Sequence, residues 1–384
     1  MQLHDVKRTF IYHSPQYPGY TCWCGLWTMP DNSVMCSFHQ ATGPVEGRPK
    51  APPEVRTRLS WPPLWHPEGE AYDMTGLDFQ VIHLRSFDYG VTWRMAGSEH
   101  FQTCLNGFTC EPEVALPDGS ILRGVFGPYL PYNDIPRTGY LQRSTDGGAT
   151  WGRSQLFYDH PGQMVWPRRI RPLRDGRLLM GCGLYFTEYS KSTRDAWSKD
   201  MTQALFLSED GGKSWQGPVY VCPERQRREF HGEEFDWAEL PNGDLLIMIR
   251  AETVPGFDTK DPGQSRRQTR LVKKGSSWES TSVAGTPLPP SGHPELLLLR
   301  DGTVLHIDTS GIAWTTDGGE RWTNFQLPPP SNKAGWTQPG AAYYPRSVQM
   351  ANGEVLCIGH VGGDNAYGSV DQAIVGLRFF VNAS

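Results

Sequence analysis

The chain has 384 residues, a formal net charge of −5 and an isoelectric point near 6.1, with 38% hydrophobic and 12% aromatic residues. No run rich in Lys and Arg is present, which excludes the electrostatic footprint typical of proteins that bind nucleic acids or anionic membranes. No apolar stretch reaches the roughly 18 residues of a membrane span. A glycan or small polar molecule is therefore the expected partner, while the oligomeric state stays open.

The N-terminal segment lacks the apolar core of a secretory signal, which favours the cytoplasm for the chain as given. A secreted or periplasmic protein is expected if a signal has been removed. The eight cysteines show no repeated spacing, and we predict buried free thiols rather than a zinc site.

Six segments share one pattern, in which a short turn beginning with Asp or Asn separates two apolar runs. In chain order, these turns begin at Asp31, Asp118, Asp175, Asn242, Asp301 and Asn352. Asp-Gly or Asn-Gly between apolar runs is the strongest short signal for a β-hairpin. The sequence thus predicts six hairpins.

An octapeptide of the form Ser/Thr-x-Asp-x-Gly-x-x-Trp occurs four times, beginning at Ser86, Ser144, Ser208 and Thr315. Two of the intervals are about 60 residues and the third is nearly twice that, as in an array that has lost one copy. The segment from Leu271 to Trp278 keeps a Gly and the Trp, and we interpret it as that degenerate copy.

Each repeat is predicted to hold an inner hairpin followed by an outer one. Six such units predict an all-β protein, a six-bladed β-propeller of four-stranded antiparallel blades that forms a single domain over residues 1–384. The last run, QAIVGLRFFV, is expected to close the ring with the N-terminal strand near KRTFIYH. In the octapeptide, the Asp is expected to bond its own turn and the Trp to pack beside the neighbouring blade, which makes the motif scaffold.

The four octapeptides resemble the Asp-box, or BNR repeat, of the sialidase-like superfamily. The resemblance covers nearly the whole chain and implies a six-bladed propeller with Asp-box turns. It also implies a glycoside hydrolase related to the neuraminidases, although Asp-boxes occur in propellers with many activities.

The hairpin positions also predict where a site lies. Residues about eight positions before and after each hairpin turn should surround one mouth of the central funnel. These residues are Trp23, Cys110, Pro167, Glu234, His293 and Tyr344 before the turns, and His39, Phe126, Gly183, Arg250, Thr309 and His360 after them. An uncertainty of one or two residues at the strand ends adds Glu111, Arg168, Arg169, Tyr185 and Asp308. Convergent polar groups in a funnel are the default hypothesis for an active site.

The resemblance implies roles for several of these residues. Tyr344 lies where the family has its tyrosine nucleophile, Glu234 where it has the base that activates the tyrosine, and Arg250 where an arginine binds the sugar carboxylate. For the catalytic acid, Asp73 and Asp134 are competing candidates. The remaining predicted substrate-binding residues are His293, His39, His360, Arg346, Arg168 and Arg169. No metal and no cofactor is assigned.

The sequence departs from the sialidase pattern at two of the three family arginines. The first-blade strand YTCWCGLW contains no Arg, and His293 stands where the third Arg is expected. The leading hypothesis is an exo-acting, sialidase-like hydrolase that removes a terminal, acidic sugar. Two alternatives stay open: a polysaccharide lyase that acts on a uronate through Tyr or His with Arg250, and a glycan-binding propeller without catalysis.

Overall fold

The structure is a computed structural model, and it describes residues 1–15, 19–43, 78–100, 113–125, 139–160, 163–185, 201–227, 234–250, 266–289, 291–330, 336, 338–361 and 373–382. Within these ranges the chain is built from β-strands, with one short 3₁₀ helix at Glu224–Gln226. None of the helical structure in the described ranges is long and apolar enough to cross a membrane.

The described strands form six sheets, and each sheet is one blade. The chain begins with β1 (Gln2–His13). Blade one contains β2 (Gly19–Thr28), β3 (Val34–Thr42), β4 (Asp78–Ser86) and β5 (Arg94–His100). Blade two contains β6 (Glu113–Ala115), β7 (Ile121–Val125), β8 (Tyr140–Ser144) and β9 (Gln155–Leu156). Blade three contains β10 (Met164–Pro172), β11 (Leu178–Tyr185), β12 (Met201–Ser208) and β13 (Gln216–Tyr220).

Blade four contains β14 (Phe235–Glu239), β15 (Leu245–Ile249), β16 (Arg267–Lys274), β17 (Ser277–Ser280) and the short β18 (Ala284–Gly285), which pairs with β16. Blade five contains β19 (Glu295–Leu298), β20 (Val304–Ile307), β21 (Ile312–Thr315) and β22 (Thr323–Asn324). Blade six contains β23 (Tyr343–Gln349), β24 (Val355–Val361), β25 (Ala373–Asn382) and β1. The predicted all-β, six-bladed propeller of four-stranded antiparallel blades is confirmed.

The ring closes through the two ends of the chain. Strand β1 pairs antiparallel with β25 along almost its whole length, from Gln2 opposite Asn382 to His13 opposite Ala373. Blade six thus takes three strands from the C-terminal end and its outermost strand from the N-terminal end. The predicted closure is confirmed, and it explains how the ring avoids an open sheet edge at the junction.

All six inner hairpins share one turn. In blade two, Gly119 N–H donates to the Leu116 carbonyl and Ser120 N–H donates to Asp118 Oδ1 at 2.9 Å; the equivalent bonds recur in the other five blades. The turn requires one residue in the left-handed region, where Gly119 has φ 84° and Asn32 of blade one has φ 64°. Gly and Asn tolerate that conformation, which explains why these residues mark the hairpins in the sequence.

The octapeptides lie between the third and fourth strands of blades one, two, three and five. In blade two, Thr150 donates to Asp146 from its backbone N–H and from its hydroxyl, and the Ser144 hydroxyl donates to the same carboxylate at 2.8 Å. Gly148 N–H completes the turn by donating to Ser144 Oγ at 2.9 Å. The other copies share this arrangement of Asp, hydroxyl and glycine.

The hydrophobic core lies between blades. A separate cluster of buried side chains joins every pair of neighbouring blades in the described structure. Trp151 of the blade-two octapeptide, for example, packs against Trp27 and Met35 of blade one and Ile121 of blade two. Six of the eight cysteines are buried free thiols, as predicted, while Cys104 and Cys110 lie outside the described residues.

Candidate functional site

The candidate site is at the end of the funnel where the first strand of each blade begins. The first strands of most neighbouring blades contact each other around the axis, which identifies them as the innermost strands. Glu234 directly precedes β14 and Arg250 directly follows β15, so the two residues meet at one end of the blade-four hairpin. Their backbones are joined by a hydrogen bond of 3.0 Å from Arg250 N–H to the Glu234 carbonyl.

Three blades contribute side chains to one group at this mouth. Arg250 Nη1 donates to Glu234 Oε2 at 2.5 Å, and the Tyr344 hydroxyl of blade six donates to Glu234 Oε1 at 2.8 Å. The Tyr344 ring stacks on His360, with centroids 5.7 Å apart and planes at 16°, and it lies 5.6 Å from the ring of His293 in blade five. Sequence positions more than 100 residues apart thus converge on one carboxylate.

A β-bulge sets the position of Tyr344. The pairing of β23 with β24 shifts register between Tyr343 and Arg346, and Tyr344 has φ 50°. A bulky residue with positive φ is a conformational outlier, and such strain clusters at functional sites. The bulge inserts an extra residue and re-aims the tyrosine side chain toward blade four.

Glu234 is nearly buried, with 7% of its surface exposed. Burial acts to raise the pKa of its carboxyl, but the charges of Arg250 and Arg168 and the hydrogen bonds from Arg250 and Tyr344 outweigh burial and lower the pKa below its usual value. Glu234 is therefore ionised at neutral pH. An ionised carboxylate that accepts a phenol hydrogen bond is placed to accept the phenol proton.

His293 lies within a group of arginines. Its pKa is held well below the usual value by burial and by the positive charges of Arg346, Arg168, Arg250 and Arg266. Arg346 Nη1 approaches His293 Nδ1 at 3.3 Å, and a guanidinium can only donate. A neutral His293 that accepts at Nδ1 carries its proton on Nε2, so Nε2 is a donor rather than a base.

Below the mouth, a buried ion network joins blades three to six. Glu295 accepts from Arg169 Nη2 at 2.9 Å, from the Ser347 N–H and hydroxyl at 2.7 Å each, and from Arg346 Nη1 at 3.4 Å. Asp236 accepts both terminal nitrogens of Arg171 at 2.8 Å. Asp236 follows Glu234 by two residues along β14, so the network is directly beneath the Glu234–Tyr344 contact.

The structure brings some predicted site residues together and places others elsewhere. Glu234, Arg250, Tyr344, His293 and His360 form one group, while Arg169 and Arg346 belong to the network around Glu295. Arg168 lies at a bulge of β10 and packs on Trp166, 5.1 Å from the ring centroid. His39 packs edge-on against Trp23. Asp73 and Asp134, the predicted acids, lie outside the described residues.

Sequence reasoning missed Asp236, Glu295 and Arg266. Arg266 is fully buried directly before β16 and donates from Nη2 to the Ser291 carbonyl at 2.6 Å and to Asp308 at 3.3 Å. The sequence carries a signal for Asp236 and Glu295, because each is a charged residue beside apolar residues in a predicted inner strand. Among the described residues, no group of three or more His, Cys, Asp or Glu side chains is arranged to hold a metal ion.

No family model and no curated protein matches the sequence. Among solved structures, the chain is similar to an α-L-arabinanase of Penicillium chrysogenum complexed with arabinobiose (TM-score 0.57, 14% identity, covering 97% of this chain and 98% of that one). An α-L-arabinofuranosidase of Fusarium graminearum gives TM-score 0.57 at 12% identity, with 97% and 98% covered.

A third similar structure is a Hadza microbial sialidase, with TM-score 0.52 and 16% identity; the alignment covers 94% of this chain but 65% of that one. Identities of this size show the fold alone. The six-bladed fold that the resemblance implied is confirmed, because an arabinanase and a sialidase are among the structures similar to this chain. Fold does not define function, so the chemistry must be argued from the site.

Proposed function

We propose that the protein is an exo-acting glycoside hydrolase that removes a terminal acidic sugar from a glycan, with Tyr344 as the nucleophile and Glu234 as its base. The observation that carries the proposal is the 2.8 Å hydrogen bond from the Tyr344 hydroxyl to Glu234 Oε1. A phenol with its ordinary pKa near 10 is a poor nucleophile at neutral pH. A neighbouring ionised carboxylate that takes the proton removes this limitation.

The reaction follows from this geometry. As the proton of Tyr344 passes to Glu234, the phenolic oxygen attacks the anomeric carbon and the bond to the leaving oxygen breaks. The leaving oxygen takes a proton from an acid, for which Asp73 and Asp134 remain the predicted candidates. Water then attacks the anomeric carbon and gives its proton to the acid, which lost its own proton in the first step. The bond from the anomeric carbon to the Tyr344 oxygen breaks, and Glu234 returns the proton to that oxygen as the sugar leaves.

The charge of the mouth supports an acidic sugar. The pKa of Glu234, although burial acts to raise it, is lowered by two guanidiniums, those of Arg250 and Arg168. One carboxylate beside two cations leaves a net positive charge, which favours a substrate with a carboxylate of its own. Arginine binds carboxylates with two parallel hydrogen bonds, which adds orientation to the attraction. The sequence lacks two of the three arginines by which sialidases bind the sugar carboxylate. We propose that Arg168, from blade three, takes the place of one of them.

The contacts of His293 favour hydrolysis over elimination. A uronate lyase needs a base with an available lone pair near the sugar carbon beside the carboxylate. His293 Nδ1 accepts from Arg346 Nη1 at 3.3 Å, so the neutral ring presents an N–H at Nε2 rather than a base. Tyr344 instead has a carboxylate acceptor for its proton, as nucleophilic activation requires.

The test uses chromogenic sialosides, glucuronides and arabinofuranosides with the wild-type protein, Tyr344→Phe and Tyr343→Phe. We expect release of the chromophore from an acidic glycoside, loss of turnover in Tyr344→Phe, and near wild-type turnover in Tyr343→Phe, whose neighbouring ring is the matched control. Circular dichroism and the melting temperature establish that both variants fold. Near-normal hydrolysis by Tyr344→Phe would sink the assignment. An ultraviolet absorbance from an unsaturated uronate during digestion would establish elimination instead.

A further inference from the structure

Two innermost strands carry the same unusual device at the same height of the funnel. Trp23 of blade one has φ 48° and Tyr344 of blade six has φ 50°. Each lies at a β-bulge, one between Cys22 and Cys24 and the other between Tyr343 and Arg346. Trp23 and Tyr344 both stand about eight residues before their hairpin turns, so they occupy equivalent positions in neighbouring blades.

The resemblance extends to the residue behind each aromatic ring. Trp23 packs against His39 with ring centroids 5.7 Å apart and planes at 83°, and Tyr344 packs against His360 at 5.7 Å and 16°. Both histidines are buried and lie on the second strand of their own blade. Strands β2 and β23 contact each other, so Trp23 is next to Tyr344 around the mouth.

The conformation of Trp23 needs a reason. An aromatic residue with positive φ is strained, and such strain persists where the surrounding structure imposes it for a function. Asn32 and Tyr89 also have positive φ, but they lie in the turns of blade one, and Asp5 lies at a bulge of the outermost strand β1. Trp23 is different because its neighbours Cys22 and Cys24 are buried while its own ring is only partly buried.

We infer that Trp23 is a sugar-binding platform, on which the apolar face of a substrate ring packs beside the Tyr344 nucleophile. The inference rests on the proposed function, because it assumes that the mouth binds a glycan. The C–H bonds on one face of a sugar ring form an apolar patch, and an indole offers a large flat surface at low conformational cost. The arginines hold the acidic group of the sugar, and Trp23 supplies the packing that charge alone does not.

Binding and turnover are measured separately, so that the two proposals can fail separately. Titration calorimetry on Tyr344→Phe follows binding of three probes: sialyllactose, a galacturonate disaccharide and arabinobiose. Trp23→Ala, Trp23→Gly and Trp23→Phe are added to that background, with Trp322→Phe of the blade-five octapeptide as the control. We expect about tenfold weaker binding for Trp23→Ala and Trp23→Gly, which corresponds to about 1.4 kcal/mol. For Trp23→Phe and Trp322→Phe, the dissociation constant should stay within about threefold of the parent value, well short of a tenfold change.

The Trp23→Gly variant separates the effect of backbone strain on stability from the effect of losing the indole ring on binding. Glycine accepts the positive φ without strain, so Trp23→Gly should melt no lower than Trp23→Ala and still bind weakly. Unchanged affinity in both variants would overturn the platform. A different result is a probe that binds, loses affinity when Trp23 is removed and yet is not hydrolysed by the wild-type protein. That result would support the role of Trp23 in binding and contradict the proposed hydrolase activity. If none of the three probes binds, both proposals fall.

Discussion

The outer turns and the funnel mouth stabilise the same ring by opposite means. In an octapeptide turn, the bonds are local: Asp146 accepts from Ser144 and Thr150, all within one eight-residue segment. At the mouth and in the ion network below it, the bonds join distant parts of the chain. Glu234 of blade four meets Tyr344 of blade six, and Glu295 of blade five meets Arg169 of blade three. The bonds of the turns recur from blade to blade, whereas these long-range bonds occur once each.

This difference separates scaffold from site. A self-contained turn can be copied from blade to blade, because its bonds do not depend on the neighbouring sequence. A bond between side chains of different blades needs a specific partner in another blade. The residues that form it are therefore not copied from blade to blade. The candidate site accordingly lies in blades four and six, which lack an octapeptide, and in the blade-five residues that face them. Single substitutions should therefore cost more at the mouth than at a turn.

The largest effect on stability is expected for Glu295→Ala. Glu295 is fully buried and accepts from Arg169, Arg346 and Ser347, so its removal leaves buried guanidinium groups without their carboxylate. Breaking a buried ion pair by removing one partner costs about 3–5 kcal/mol. Urea unfolding of Glu295→Ala measures this loss. If Glu295→Ala does not fold, Glu295→Gln, which keeps an acceptor, should fold with a smaller loss in the free energy of unfolding. A loss below about 1 kcal/mol for both variants would contradict the network, because an exposed ion pair contributes that much.

A smaller and additive effect is expected at the turns. Ser144, Ser86 and Ser208 each donate to the Asp of their own turn and accept from a glycine N–H. Each Ser→Ala change should cost about 1 kcal/mol, the typical net value of a hydrogen bond. Because the three turns share no partners, the triple variant should lose the sum of the single losses. Unfolding free energies that depart strongly from additivity would show that the turns are coupled through the ring.

Much of the fold could be predicted from local chemistry. Asp-Gly and Asn-Gly signals identify the hairpins because the turn itself requires those residues, and the octapeptides identify the outer turns for the same reason. Counting eight residues from each turn predicts Glu234, Arg250 and Tyr344 at one mouth, and in the structure their side chains are in contact. The roles of these residues remain predictions.

The rest depends on interactions that no local pattern encodes. The bulges at Trp23, Arg168 and Tyr344 arise where an extra residue must be accommodated between strands, and an alternating apolar pattern does not show them. The pairing of Glu295 with Arg169 joins residues separated by 126 positions. Such pairs follow from ring closure, because blades that are distant in sequence face each other across the axis.

The smallest predicted effect is the response of the turns to acid, and it sharpens the comparison with the mouth. Hydrogen bonds from the Thr150 hydroxyl and N–H and from Ser144 lower the pKa of Asp146 to about 2, and bonds from Ser214 lower the pKa of Asp210 to about 2. A carboxyl whose pKa is lower in the folded than in the unfolded protein, where it is near 3.8, stabilises the fold at any pH above that unfolded pKa. The contribution is lost as the pH falls from about 4 toward 2.

The double variant Asp146→Asn and Asp210→Asn tests this contribution, because asparagine does not titrate. Melting temperatures measured from pH 6 to pH 2 should fall less steeply for the double variant than for the wild type. The control Glu320→Gln removes an exposed carboxyl of a turn without touching its Asp and should keep the wild-type slope. An unchanged slope in the double variant would contradict a contribution from these two turns. The mouth is a second source of acid response. There, the pKa of Glu234 is also lowered, with burial opposed by Arg250 and Arg168, so protonation of Glu234 would weaken the contact between blades four and six.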